Sequence, residues 1–261
     1  MRSPLHVPQR RDSPAAVAGR QALSQAEGVL LDWDGCVALG DRPLPAALRL
    51  IRAHADRVAI VSNNSTHLPH MFAALLADAG APIASERVIL AGDEALKRAA
   101  RAGSRRALVL GDSRMRAHAQ SLGLNLVREE ADLVVLLRDT RFSYARLERA
   151  VNSLTRGARL IVANPDGAHP GPNGRVTPET GALLAAILAC VDPDGIEMEV
   201  IGKPAPGLFE SACAVLGTGP GRAVMVGDNP HTDIAGARAL GLGAIWVGER
   251  ADLSIEDLVE R

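Results

Sequence analysis

The chain has 261 residues, 47% of them hydrophobic, with 29 basic against 30 acidic side chains. That length predicts one large or two small globular domains with a real core, and excludes a disordered chain. The even charge balance, with only three Phe, two Trp and one Tyr, argues against basic surfaces and stacking platforms for nucleic acid.

Residues 1–27 read as a flexible tail. Pro4, Pro8 and Pro14 interrupt regular structure there, and Arg2, Arg10, Arg11 and Arg20 are not followed by the apolar run of a secretory signal. No apolar run is long enough to span a membrane. Three scattered cysteines (Cys36, Cys190, Cys213) with no CxxC predict a reducing compartment and a cytoplasmic location.

From residue 28 the sequence predicts strands and helices in alternation. Strands are expected at 28–32, 58–61, 87–90, 107–110, 132–137, 159–163, 223–226 and 244–247. Helices are expected at 44–55, 68–79, 93–102, 114–122, 144–154, 181–190, 205–216 and 234–240. A Gly/Pro-rich segment runs over 164–179. Short apolar strands alternating with helices predict an α/β fold whose parallel sheet is covered on both faces. Such sheets bind ligands beyond the carboxyl ends of their strands.

Four strand ends or helix starts carry chemistry. They are Asp32-Trp33-Asp34-Gly35, Ser62-Asn63-Asn64-Ser65, Gly202-Lys203-Pro204, and Gly227-Asp228 with Asp233 five residues on. About 140 residues separate the second cluster from the third, too many for one crossover. A second α/β unit at 104–198 is therefore expected, inserted into a core of 28–103 and 199–261. Lys203 is one of two lysines, with Lys97, against 27 arginines, so a lysine here marks a requirement.

Asp32 and Asp34 lie two apart at a strand end and share a direction. Adjacent carboxylates without His or Cys partners favour a hard cation such as Mg²⁺. A carboxylate can attack phosphorus, and its neighbour can serve as acid and then base. Lys203 would neutralise developing charge, and Ser62 would hydrogen-bond phosphoryl oxygens. Any one cluster alone is a common turn, loop or helix start. Four in order point to phosphoryl transfer.

The segments LLDWDGCV (30–37), VSNNST (61–66), VIGKPAPGLF (200–209) and VMVGDNPHTDIAGA (224–237) resemble the haloacid dehalogenase (HAD) superfamily of phosphatases. DTRFSYARL (139–147) and ANPDGAHPGPNGRVTPETG (163–181) resemble the cap of its NagD and pyridoxal phosphatase subgroup. The resemblance implies a doubly wound, Rossmann-like core with an inserted α/β cap. It implies an Mg²⁺-dependent phosphomonoesterase acting on a small phosphorylated metabolite through an aspartyl-phosphate.

By that resemblance Asp32 is the nucleophile and a metal ligand. Asp34 is the general acid/base, with its backbone carbonyl on the metal. Ser62, Asn63 and Asn64 hold the phosphoryl group, Lys203 stabilises its charge, and Asp228 and Asp233 complete the metal site. Asn164, Asp166 and His169 meet the leaving group, and a homodimer through the cap is implied. The chain departs from the pattern at Trp33, Cys36 and Asn229, and has PETG (178–181) where PGTG or PGAG is usual.

Phosphotransfer to another acceptor and a catalytically silent phosphate-binding protein are alternatives on the same scaffold. A different class, a Ser–His–Asp esterase, can be drawn from Gly111-Asp112-Ser113 and Asp228-Asn229-Pro230-His231. It leaves the other clusters unexplained.

Overall fold

The computed structural model describes residues 13–103, 106–170 and 175–259. Two parallel sheets organise them. The first has five strands in the order β13-β12-β1-β4-β5. These are β1 (Gly28–Leu31), β4 (Val58–Ser62), β5 (Val88–Leu90), β12 (Ala223–Gly227) and β13 (Gly243–Trp246). β1, β4, β5 and β12 are buried along their whole length, so they read as unbroken apolar runs rather than alternating ones. β1 pairs with β12 on one side and β4 on the other. The chain reverses direction across the sheet at this point, and that opens a crevice beyond the strand ends.

The second sheet has the order β11-β8-β7-β6, from β6 (Ala107–Leu110), β7 (Leu133–Leu136), β8 (Arg159–Val162) and β11 (Met198–Val200). β11 crosses the expected boundary at 198/199, because its pairing with β8 (Glu199↔Ile161) places it in the second sheet. Helix α4 (Ala91–Arg101) contributes Ala95, Leu96 and Ala99 to one apolar cluster with Ala107, Val109, Leu133 and Val135 of that sheet. The expected division at 103/104 thus cuts a packed layer.

The remaining helices are α1 (Pro14–Gln25), α2 (Pro45–Ala53), α3 (Pro69–Asp78), α5 (Ser113–Ser121), α6 (Tyr144–Thr155), α7 (Thr180–Leu188), α8 (Gly207–Leu216) and α9 (Ala235–Ala239). Proline opens α1, α2 and α3, where its missing N–H costs nothing. A five-residue π turn, Pro230–Ile234, precedes α9.

α1 corrects the reading of residues 1–27 as a flexible tail. Pro14 sits in the first turn instead of breaking structure, and Ser13 Oγ accepts from Ala16 N at 3.1 Å. Ala16, Gly19 and Leu23 are buried, and a Cβ on Gly19 would lie 2.7 Å from Leu258. The helix is held by the far end of the chain. Residues 1–12, with Pro4, Pro8, Arg2, Arg10 and Arg11, lie outside the described residues.

Two hairpins lie outside the predicted strands. β2 (Ala38–Leu39) pairs with β3 (Arg42–Pro43), and β9 (Ala168–Pro170) pairs with β10 (Val176–Pro178) inside the Gly/Pro segment. Both are too short to show a period of two. Residues 171–174 of that segment lie outside the described residues. Among the described residues, no helix is long and apolar enough to cross a membrane.

Candidate active site

The carboxyl ends of both sheets converge on the crevice beside β1. Asp32 leaves β1 with its N–H donated to Val226 O at 2.9 Å, which aligns it with the end of β12. The chain then turns tightly. Ala38 N reaches Trp33 O at 2.8 Å, Gly35 N reaches Ala38 O at 2.9 Å, and Gly35 takes φ +79°. A Cβ at Gly35 would stand 2.2 Å from Asp228 Oδ2. Glycine there serves both the positive φ and the close approach of a carboxylate.

Lys203 is the centre of charge. It is 2% exposed, with Nζ 2.6 Å from Asp32 Oδ1, 2.7 Å from Asp233 Oδ1 and 2.8 Å from Val61 O. Burial opposes its charge, but Asp233 and Asp32 together hold its pKa above the ordinary lysine value. Loss of hydration pushes the Asp32 carboxyl well up. Lys203 pulls it back, and Asp233 and Asp228 push it further. Asp228 is raised to about 6, by burial first and by Asp233 second.

Asp32, Asp228 and Asp233 each offer an oxygen within 4.8 Å of the others. Asp233 Oδ1 is buried and, beside Lys203, lies outside hydrogen-bond geometry. Three converging carboxylates sharing one lysine carry excess negative charge, and an all-oxygen donor set suits a hard divalent cation. The residues present therefore fit Mg²⁺. Asp233 Oδ2 also accepts from Asn229 N at 3.0 Å, which fixes it at the end of β12.

Asp34 lies at the tip of the turn, and its side chain stands outside the three-carboxylate group. Desolvation in the crevice raises its carboxyl above the usual range. His169 is the strongest of the charges pulling it down, ahead of Lys203 and His67.

Ser62 ends β4 and is 1% exposed. Its Oγ accepts from Asn64 N at 3.1 Å, so the hydroxyl proton is left to donate. The Asn63 side chain, expected to help hold a phosphoryl group, is engaged elsewhere, and so is the side-chain oxygen of Asn64, expected to do the same. Asn63 Oδ1 accepts from Lys203 N at 2.7 Å, and its Nδ2 donates to Lys203 O and Asp166 Oδ2, both at 3.0 Å. Asn64 Oδ1 accepts from Thr66 N at 3.0 Å and His67 N at 2.9 Å. One asparagine clamps the lysine loop to the second sheet, and the other shapes its own turn.

Asn164 is also structural in its contacts. It is buried, and its Nδ2 donates to Asn63 O at 2.7 Å and to Thr180 Oγ1 at 3.2 Å. Asp166 and His169 remain at the crevice. Glu179 and Arg138 join them unforeseen. Glu179 Oε1 lies 2.7 Å from His169 Nδ1 and 3.2 Å from an Arg138 guanidinium nitrogen. The signal was the Glu of PETG, visible as a departure without a partner.

The other departures have structural reasons. Trp33 is buried, donates to Gly40 O at 3.2 Å and stacks on Phe72 at 4.0 Å, so it pins the β2–β3 hairpin to α3. Cys36 is buried against Val226 O, and desolvation raises its thiol well above the ordinary value, which keeps it un-ionised. Asn229 caps the π turn by accepting from His231 N at 2.9 Å.

The esterase reading does not assemble. Asp112 is spent as the cap of α5, accepting from Met115 N at 2.9 Å. Ser113 follows β6 of the second sheet, whereas His231 follows β12 of the first. No hydrogen bond joins them among the described residues.

The chain is similar to known proteins in sequence and in fold. The family model of haloacid dehalogenase-like hydrolases matches residues 26–241. Dihydroxyacetone phosphatase of Corynebacterium glutamicum is 31% identical over 224 residues, spanning 84% of this chain and 79% of that one. Human chronophin is 32% identical over 246 residues, spanning 87% of this chain and 82% of its own. The solved structure of a glycerol phosphate phosphatase from Mycobacterium tuberculosis, in complex with calcium, superposes with a TM-score of 0.79 at 26% identity. It covers 92% of this chain and 76% of that one. The chain belongs to the haloacid dehalogenase-like hydrolases, among the phosphatases of the chronophin type.

Proposed function

We propose that the protein is an Mg²⁺-dependent phosphomonoesterase that works through an aspartyl-phosphate on Asp32. The observation that carries this reading is the buried Lys203 ammonium between Asp32 and Asp233, with Asp228 completing the carboxylate group. Lys203 holds Asp32 Oδ1 and favours its ionised form against burial, the form that attacks phosphorus as a nucleophile. The bond from phosphorus to the leaving-group oxygen breaks as the Asp32–phosphorus bond forms. Asp34, raised by burial, suits an acid that protonates that oxygen. The resulting Asp34 carboxylate then takes a proton from water. The water oxygen displaces Asp32, phosphate leaves, and Asp34 is an acid again.

Asp32 and Asp228 through their carboxylates, and Asp34 through its backbone carbonyl, would hold Mg²⁺, with Asp233 behind them. Bound Mg²⁺ supplies Lewis-acid stabilisation of charge on the phosphoryl oxygens. Ser62 donates to the phosphoryl group, and Asp166 and His169 face the leaving group.

The substrate is a small phosphorylated metabolite, a class shared with relatives named for dihydroxyacetone, nucleotide and glycerol phosphates. A homodimer through the second sheet's unit, a cytoplasmic setting, and a division into core and cap that keeps β11 (Met198–Val200) with the cap complete the proposal. Sedimentation velocity tests the first of these.

The deciding experiment is p-nitrophenyl phosphate hydrolysis with Mg²⁺ and with EDTA, for wild type and Asp32→Asn. Chelation should abolish turnover, and the substitution should lower kcat by on the order of a thousandfold or more. Full activity of Asp32→Asn would overturn the nucleophile assignment. A folded, metal-loaded protein that binds phosphoesters tightly without turnover would favour the silent-binder alternative. Product phosphate appearing only on an added alcohol would favour phosphotransfer.

A further inference from the structure

The leaving-group side of the crevice carries a half-buried charge arrangement that the proposed chemistry does not use. Residues 164–170 and 175–181 are stitched together. Gly181 N reaches Asp166 O at 2.7 Å, Glu179 N reaches Gly167 O at 3.0 Å, and His169 stands opposite Thr177 in the β9–β10 pair. Glu179 is thereby set against Nδ1 of His169, with its side chain only 14% exposed. One carboxylate oxygen takes both neighbours, His169 Nδ1 at 2.7 Å and the Arg138 guanidinium at 3.2 Å. Asp166, held by Asn63 Nδ2, presents a second carboxylate from the same loop.

We propose that Glu179 is a positioning and specificity residue that selects substrates whose leaving group bears hydroxyls and rejects those bearing a carboxylate. The proposal rests on the phosphomonoesterase reading above. An ionised carboxylate only accepts hydrogen bonds, so the proton of a neutral His169 ring is drawn to Nδ1. Nε2 is then a bare acceptor. With the Asp166 carboxylate, the cap face offers two acceptors, which suit the O–H donors of a polyol. Arg138 is the cation on this face that would receive a substrate carboxylate, and Glu179 already occupies and neutralises it. An anionic leaving group would meet the Asp166 and Glu179 carboxylates beside an Arg138 already paired with Glu179.

The test pairs glycerol 3-phosphate with 3-phosphoglycerate, which differ by CH₂OH against COO⁻ on one skeleton, with p-nitrophenyl phosphate as an uncharged-leaving-group control. Wild type should favour glycerol 3-phosphate in kcat/KM. Glu179→Gln keeps an acceptor for Nδ1 but removes the charge, freeing Arg138. The preference should narrow by about tenfold or more, as expected for one charge-assisted hydrogen bond gained by the carboxylate. The gain should appear mainly in KM for 3-phosphoglycerate and vanish in Glu179→Gln/Arg138→Gln.

Long-range ¹H–¹⁵N correlation of the His169 ring, at a pH where it is neutral, reads the tautomer directly. The expectation is Nδ1–H in wild type and Glu179→Gln, and a shift to Nε2–H in Glu179→Ala. An Nε2–H ring in wild type overturns the positioning role. A substrate ratio unchanged in Glu179→Gln, with p-nitrophenyl phosphate still hydrolysed, overturns the specificity role. If wild type hydrolyses no phosphoester, the phosphomonoesterase reading fails instead. Calorimetric binding of the two ligands to wild type and Glu179→Gln then decides the selectivity on its own.

Discussion

Replacing Lys203 with methionine keeps the length of the side chain and removes its charge. In the native protein the ammonium is 2% exposed and lies within 2.6 to 2.8 Å of Asp32 Oδ1, Asp233 Oδ1 and Val61 O. The variant strands two buried carboxylates and one carbonyl. Removing one partner of a buried ion pair costs about 3–5 kcal/mol, a large part of the roughly 5–15 kcal/mol that holds a domain together.

The carboxylates can relieve that cost by taking up protons. Asp32 is already raised by burial, and losing Lys203 removes the strongest influence that lowers it. The native variant then binds protons that the unfolded chain, with carboxyls near ordinary values, does not. Stability therefore falls as pH rises through the raised native values, and the deficit against wild type widens from pH 5 to pH 7.5. Lys203 itself adds no slope there, because a raised lysine stays charged in both states until far higher pH. Urea unfolding followed by tryptophan fluorescence, in EDTA at both pH values, measures the difference. A Lys203→Met variant within about 1 kcal/mol of wild type at pH 7.5, or a deficit equal at both pH values, would refute the buried triad. Adding Asp233→Asn should recover part of the loss, since one stranded charge is then gone.

Four further outcomes follow from the same structure. Mg²⁺ should raise the thermal midpoint more at pH 7.5 than at pH 5: Asp228, near 6 without metal, is ionised and repelled at the higher pH, and protonated Asp228 must lose its proton to bind. At a hundred times the dissociation constant the gain is about 2.7 kcal/mol, and equal shifts at both pH values would exclude Asp228 as a ligand. Gly35→Ala should lose about 1–2 kcal/mol from its positive φ alone, and calorimetry should show weaker Mg²⁺ binding because the new Cβ meets Asp228 Oδ2 at 2.2 Å. Asn63→Ala should cost about 1–3 kcal/mol in urea titration, with a fall in kcat, since three hydrogen bonds to Lys203 and Asp166 go together. Leu23→Ala, in a helix expected to be flexible from sequence, should cost about 2–5 kcal/mol, because Leu23 is 1% exposed; an unchanged urea midpoint would show that α1 is not docked.

The sequence by itself determined the parallel sheets and the residues worth suspecting. β1, β4 and β12 are buried on both faces, so their composition alone marks them as strands. The reactive side chains follow them directly, because a parallel sheet presents its ligands at one end. Even the importance of Lys203 was legible, as a lysine in a chain that otherwise uses arginine.

Only the tertiary structure decided how those residues divide their work. Asn63 looked like a phosphate ligand beside Ser62, yet its side chain is taken by Lys203 and Asp166, 140 and 103 residues away. Glu179 stood out only as part of the PETG departure, and the fold sets it against Arg138 and His169. α1 looked like a tail, and was fixed by Leu258 at the other end of the chain. In each case the deciding partner is distant in sequence, and no local pattern carries its position. A strand's burial is written in its own four or five residues, whereas the use of a polar side chain is set by whichever donor or acceptor the fold brings within hydrogen-bond distance.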